Sequence, residues 1–123
     1  LALFKELGLK TAVVSSGISG YVNRMLELSH LAGEFDTVVT GDVVSAGKPE
    51  PECFLLGASR LGVAPECCIV LEDAWAGIQA GRNAGMTVIS VRNRFNLNYD
   101  GADALLDSLA AIDRSLLAKL SAG

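Results

Sequence analysis

Residues 67–81 read CCIVLEDAWAGIQAG, and this stretch decides the fold. Its first five residues, Cys67 to Leu71, carry no charge. A run that short and that apolar predicts a strand buried on both faces, as in a parallel sheet covered by helices. Two acids follow at once, Glu72 and Asp73. Trp75, Ile78 and Ala84 then recur at roughly helical spacing, with Gly85 as the stop. Two carboxylates therefore stand where a buried strand gives way to a helix. In open α/β sheets that carboxyl edge is where ligands bind. Taken alone, the pair favours a plainer reading, with Asp73 a cap for the following helix and Glu72 its solvated neighbour.

Working outward, the same alternation recurs. Leu1 to Leu9 predicts an amphipathic helix with Leu1, Phe4 and Leu7 on one face and Gly8 as the stop. Thr11 to Val14 predicts a strand, and Tyr21 to Leu31 a helix that buries Val22, Met25, Leu26 and Leu28. Phe35 to Val39 predicts a second strand, and the loop 42–51 carries Gly47, Lys48 and two prolines. A helix over Glu52 to Leu61 ends at Gly62. After the central stretch, Met86 to Val91 predicts a strand and Asn93 to Tyr99 a polar loop. Ala102 to Leu120 predicts two short helices broken near Ser108. Such alternation with short connections means βαβ units, an α/β fold with a mostly parallel, Rossmann-like sheet and helices on both faces.

Composition narrows the function. A chain of 123 residues suffices for one domain. The net charge of −4 argues against a nucleic-acid surface and against a polybasic membrane patch. The three cysteines, Cys53, Cys67 and Cys68, form neither a disulfide framework nor a zinc site. They read as reduced thiols in a cytoplasmic protein, with Cys67 and Cys68 inert in a buried strand. No apolar run approaches a membrane span. An acidic protein that handles an anion needs a local cation, a helix N-terminus or a metal ion.

Three groups of residues meet that need. Ser15 and Ser16 end the first strand, Lys48 lies in a Gly-Lys-Pro loop, and Glu72 and Asp73 end the third strand. In a parallel sheet all three positions share one edge. A hydroxyl before a helix start donates to a phosphate oxygen, and the helix N-terminus adds N–H donors. Lysine supplies a point charge. Two carboxylates hold Mg2+, which keeps waters and bridges to phosphate. Phosphoryl transfer needs this set, because its catalysis is mostly positioning and charge neutralisation. Singly, each group has a plainer reading: Ser15, Ser16 or Ser19 as a helix cap, Lys48 as a surface lysine. The lone His30, at a helix end, reads as structural. Arg92, Asn93 and Arg94 follow the last strand and could reach the site edge, and Asp36 and Asp42 lie near strand ends.

GKPEPE at Gly47 to Glu52 and LEDAWAGIQAG at Leu71 to Gly81, with VVSSG at Val13 to Gly17, resemble the haloacid dehalogenase superfamily. Within it the likeness is to phosphatases and phosphomutases resembling β-phosphoglucomutase. The resemblance implies that Ser15 hydrogen-bonds the transferring phosphoryl group, with Ser16 beside it. It implies that Lys48 neutralises that group and the attacking carboxylate, that Glu72 and Asp73 bind Mg2+, and that residues 74–77 shape the adjoining loop. Trp75 stands where the family often has a small or polar residue, and core packing or a lid contact is the expectation for it. The substrate implied is a small phosphorylated metabolite, most often a sugar phosphate.

The family's nucleophile and general acid–base are the aspartates of a DxD motif on its first, central strand, and no DxD occurs here. The chain also starts at Leu1 rather than Met. The expectation is therefore a partial core domain over residues 1–123, lacking the central strand and the cap domain and inactive by itself. A dimer or an N-terminal segment would fill the gap in the sheet. The alternative is a non-catalytic module that keeps the phosphate and Mg2+ site for binding or regulation.

Overall fold

The computed structural model describes residues 1–122. Its elements, in order, are α1 (Ala2–Glu6), β1 (Ala12–Val14), α2 (Ser19–Leu28), β2 (Thr37–Val39), α3 (Glu52–Leu61), β3 (Ile69–Glu72), α4 (Trp75–Asn83), β4 (Thr87–Val91), β5 (Ala104–Leu106) and α5 (Arg114–Ala122). All strand pairs are parallel, as the alternation predicts. β1 pairs with β2, setting Val13 against Val38. β4 lies between β3 and β5, with Leu71 against Ile89 and Ser90 against Leu105.

The core lies between the strands and a layer made by α3 and α4. α3 packs on β1 and β2, and α4 packs on β3 and β4. Val39, Phe54, Val70, Ile78 and Val88 form its centre with Cys53, Ala58 and Ala80. Close approach depends on small residues. A Cβ on Gly81 would stand 2.8 Å from the Val88 side chain, so α4 lies almost on the strands there. Gly62 and Gly85 close α3 and α4 with φ of +69° and +78°, left-handed values that favour glycine. On the opposite side of the strands, Leu71 shares a cleft of about 130 Å3 with Leu1, Leu3, Phe4, Leu109 and Ile112. That places α1 across from α4.

The strands do not form one continuous sheet. β1 and β2 make one ladder and β3, β4 and β5 another. The Ser15 N–H donates to the Val39 carbonyl, so the Val14 carbonyl of the same peptide points away from β2, toward β3. On β3 the Cys68 carbonyl accepts from Thr87 N, so alternation turns the backbone groups of Ile69 and Leu71 away from β4. Both ladders therefore present an edge to a break between β1 and β3.

Five expectations are corrected. β3 begins two residues later than expected, because Pro65–Cys67 forms a 3-10 turn. Cys67 is consequently exposed and Cys68 only half-buried, so neither lies in a buried strand. Leu71 is 38 % exposed: β3 is buried on the α4 side and partly open on the other. On α2 only Val22 is buried, while Met25 and Leu28 face out, because no element covers that side of the helix among the described residues. Residues 102–120 hold a strand before any helix. Ala104–Leu106 lies along the free edge of β4, and its ladder outweighs the helical propensity of Ala-Leu-Leu.

Candidate active site

Lys48 lies at the centre of the site. Its Nζ donates to Glu72 Oε2 at 2.7 Å and to the Val14 carbonyl at 3.2 Å. One ammonium thus joins the carboxyl ends of β1 and β3 across the break. The stem passes near the Phe54 ring, with Nζ 5.0 Å from its centroid. Lys48 and Glu72 side chains are each only 14 % exposed. Lys48 is therefore a largely shielded, paired group and not an ordinary surface lysine.

Glu72 is fixed from several directions. Its Oε1 accepts from Asp73 N at 3.3 Å, and its carbonyl accepts from the Ser90 hydroxyl at 2.9 Å. Ser90 is fully buried on β4, and this bond satisfies it. The Glu72 carboxylate rests against the first turn of α4, where Gly77 leaves it room.

Asp73 follows at the exposed edge. It does not cap α4, whose N-cap is Ala74 without a side-chain bond. Asp73 Oδ2 instead accepts from Asn93 Nδ2 at 2.9 Å, and its carbonyl accepts from Asn96 Nδ2 at 3.0 Å. The plain capping reading of this acid therefore fails.

Ser15 and Ser16 follow β1 directly. Ser15 Oγ accepts from Gly17 N at 3.0 Å, which leaves its hydroxyl hydrogen free to donate. Neither serine caps α2. That task falls to Asp42, whose carboxylate accepts from Ser19 N at 3.1 Å and from the Thr40 hydroxyl. The Thr40 bond, followed by the Ser19 bond, holds the Asp42 carboxyl below its usual range. Asp42 is thus structural and joins the loops after β1 and β2. Gly41 permits this, since a Cβ there would meet the Ser16 carbonyl at 2.2 Å.

The remaining candidates separate cleanly. Asp36 accepts from Thr11 N at 2.7 Å and anchors the start of β1. Arg92 pairs with Asp107 at 2.7 Å, and Arg94 stacks on Phe95. His30 is exposed in the turn after α2, with φ +59°. Trp75 is 44 % exposed and so is no core residue. Burial raises the thiol pKa of Cys53, and to a similar effect that of Cys68. Sequence reasoning missed Ser90 and Tyr99 and undervalued Asn93. The available signal was the run of asparagines at 93, 96 and 98 in a loop at the carboxyl edge.

The donor set suits a hard cation. Glu72 and Asp73 offer carboxylate oxygens only, and among the described residues no group of three or more His, Cys, Asp or Glu is assembled. Mg2+ characteristically takes one or two carboxylates and completes its shell with water and phosphate, so these residues fit it.

Known proteins share the sequence and the fold of this chain. Residues 1–85 match the model of the haloacid dehalogenase-like hydrolases. The chain is 40 % identical over 91 residues to hexitol phosphatase A of Escherichia coli strain K12, covering 74 % of this chain and 42 % of that protein. It is 45 % identical over 87 residues to fructose-1-phosphate phosphatase YqaB of the same organism, covering 69 % and 46 %. The crystal structure of CbbY from Rhodobacter sphaeroides in complex with phosphate superposes with a TM-score of 0.83 at 33 % identity, over 89 % of this chain and 51 % of that one. The chain spans about half the length of the curated relatives it matches.

Proposed function

Because the chain belongs to the haloacid dehalogenase-like hydrolases, we propose that it carries part of an Mg2+-dependent site for phosphoryl transfer from a small phosphate ester, a sugar phosphate by preference. The observation that carries this reading is the placement of Lys48 Nζ between Val14 O and Glu72, with Ser15 and Asp73 each one residue away along the chain. A cation and a hydroxyl donor on one side, and two carboxylates on the other, suit a group that is anionic and metal-bridged. The names of the two phosphatases above support sugar and sugar-alcohol phosphates as the substrate class.

In this reading Ser15, with Ser16 beside it, donates to a phosphoryl oxygen. Lys48 neutralises the phosphoryl group and the attacking carboxylate. Glu72 and Asp73 hold Mg2+, which when bound offsets negative charge on the phosphoryl oxygens. The 123 residues contain no Asp-x-Asp. We place the nucleophilic aspartate and the general acid–base on a further strand that enters the break between β1 and β3, and we read residues 1–123 as a partial core domain. The phosphoryl group passes from the ester oxygen to that aspartate while the alcohol leaves with a proton. Water, or a second hydroxyl, then takes the phosphoryl group and restores the carboxylate. Free cysteines support a reducing compartment, and we place the protein in the cytoplasm. No described helix is long and apolar enough to cross a membrane.

The test has two arms. The full natural polypeptide containing these residues should release inorganic phosphate from sugar monophosphates in Mg2+, lose the activity in EDTA and regain it on adding Mg2+. The 123-residue polypeptide alone should release none. Mg2+-dependent turnover by the short polypeptide would overturn the placement of the nucleophile. Phosphate binding by the full polypeptide with no turnover of any ester would favour a binding module over an enzyme.

A further inference from the structure

We propose that Asn93, itself held by the Tyr99 hydroxyl, is a positioning residue that fixes the Asp73 carboxylate for the cation. The inference rests on the Mg2+ reading above.

The network leaves little freedom. Asn93 Oδ1 accepts from Phe95 N at 3.0 Å, so the amide must turn its NH2 toward Asp73. That NH2 donates to Asp73 Oδ2 at 2.9 Å. The backbone of Asn93 is gripped in turn: its N–H donates to the Tyr99 hydroxyl at 2.8 Å, and the same hydroxyl donates to its carbonyl at 2.9 Å. Tyr99 is half-buried and packs against the core. Gln79 of α4 donates to the Asp100 carbonyl at 2.6 Å and ties the far end of the loop to the helix that follows Asp73.

The chemistry of the partner matters as much as its position. Asn93 is neutral. It orients the exposed carboxylate without cancelling its charge, as a lysine or arginine would. It occupies Oδ2 and leaves the other oxygen for a cation. Residues that orient a metal-binding side chain in this way usually contribute to affinity without touching the metal.

Metal binding tests this without reference to turnover. The full natural polypeptide, free of substrate, is titrated with Mg2+ by calorimetry and with Mn2+ by paramagnetic resonance. Asp73→Asn should abolish binding. Asn93→Ala should weaken it by roughly 10-fold or more, and Tyr99→Phe should weaken it in the same direction. Asn98→Ala should leave it unchanged, since Asn98 caps Asp100 N within the loop and has no bond to Asp73 among the described residues. If Asn93→Ala fails to fold, Tyr99→Phe carries the test. Wild-type affinity in both Asn93→Ala and Tyr99→Phe, with Asp73→Asn inactive in binding, would overturn the positioning role alone. An equal loss in Asn98→Ala would reduce it to general loop damage. Undiminished binding in Asp73→Asn would remove the metal assignment and this inference with it.

Discussion

Lys48→Met is expected to lower kcat/KM of the full polypeptide by roughly 100-fold or more and to destabilise the fold by about 3 kcal/mol. The two effects have different origins. The loss of rate follows from removing the ammonium that bridges β1 and β3. The loss of stability follows from stranding Glu72, whose carboxylate is largely shielded and would be left without its partner. Breaking a buried pair costs more than deleting it, because the surviving charge stays desolvated. The double variant Lys48→Met with Glu72→Gln should therefore regain most of the stability and none of the rate. Denaturant melts and phosphate-release kinetics on the four members of the cycle separate the two. A Lys48→Met variant as stable as wild type would mean that the Lys48–Glu72 contact contributes nothing to the fold.

Gly77→Ala is expected to act on the same pair from the opposite side. Helical propensity alone favours alanine by about 1 kcal/mol. A Cβ at Gly77 would, however, lie 2.0 Å from both Cδ and Oε2 of Glu72, far inside the contact distance of non-bonded heavy atoms. Either Glu72 swings out, giving up Lys48, or the first turn of α4 moves and carries Asp73 with it. The expected cost is about 2 kcal/mol in stability, with a fall in turnover comparable to that of the Lys48 variant. Gly20→Ala is the control. It lies within α2, nothing stands within 4 Å of its would-be Cβ, and the substitution should stabilise slightly. If Gly77→Ala behaves like Gly20→Ala, Glu72 is not confined by α4.

Where residues are locally specified, the sequence was readable. Gly62 and Gly85 marked the ends of α3 and α4 because left-handed closure favours glycine. The β-branched run before Ser15 and the acids after Leu71 placed Ser15, Lys48, Glu72 and Asp73 on one edge by topology alone. What could not be read depended on distant partners. Ala104–Leu106 is a strand only because β4 offers it an edge. Met25 and Leu28 look like core residues, and only the absence of a covering element in the described residues makes them surface. Asn93 is an ordinary loop residue until the fold brings Asp73, 20 positions earlier, to its amide. Ser90 likewise gives no hint, in a strand of apolar neighbours, that it holds the carbonyl of Glu72.

The break between β1 and β3 also bears on how cooperatively the chain melts. One lobe holds β1, β2 and α3, the other β3, β4, β5 and α4. Among the described residues no ladder hydrogen bond joins them, and the link is made by the core they share, the Lys48 bridge and the bond from Asn83 Nδ2 to the Pro49 carbonyl. In the 123-residue polypeptide the two ladders are expected to open at different denaturant concentrations, a departure from two-state melting that two spectroscopic probes would reveal. Amide exchange would display this as alternation along each edge strand. Ala12, Val14, Ile69 and Leu71, whose N–H groups face the break, would exchange early, while Val13 and Val70, turned into their ladders, would be protected. A segment seated in the break would slow all four together and merge two melting units into one. What completes the chemistry at this edge would by the same act make the fold cooperative.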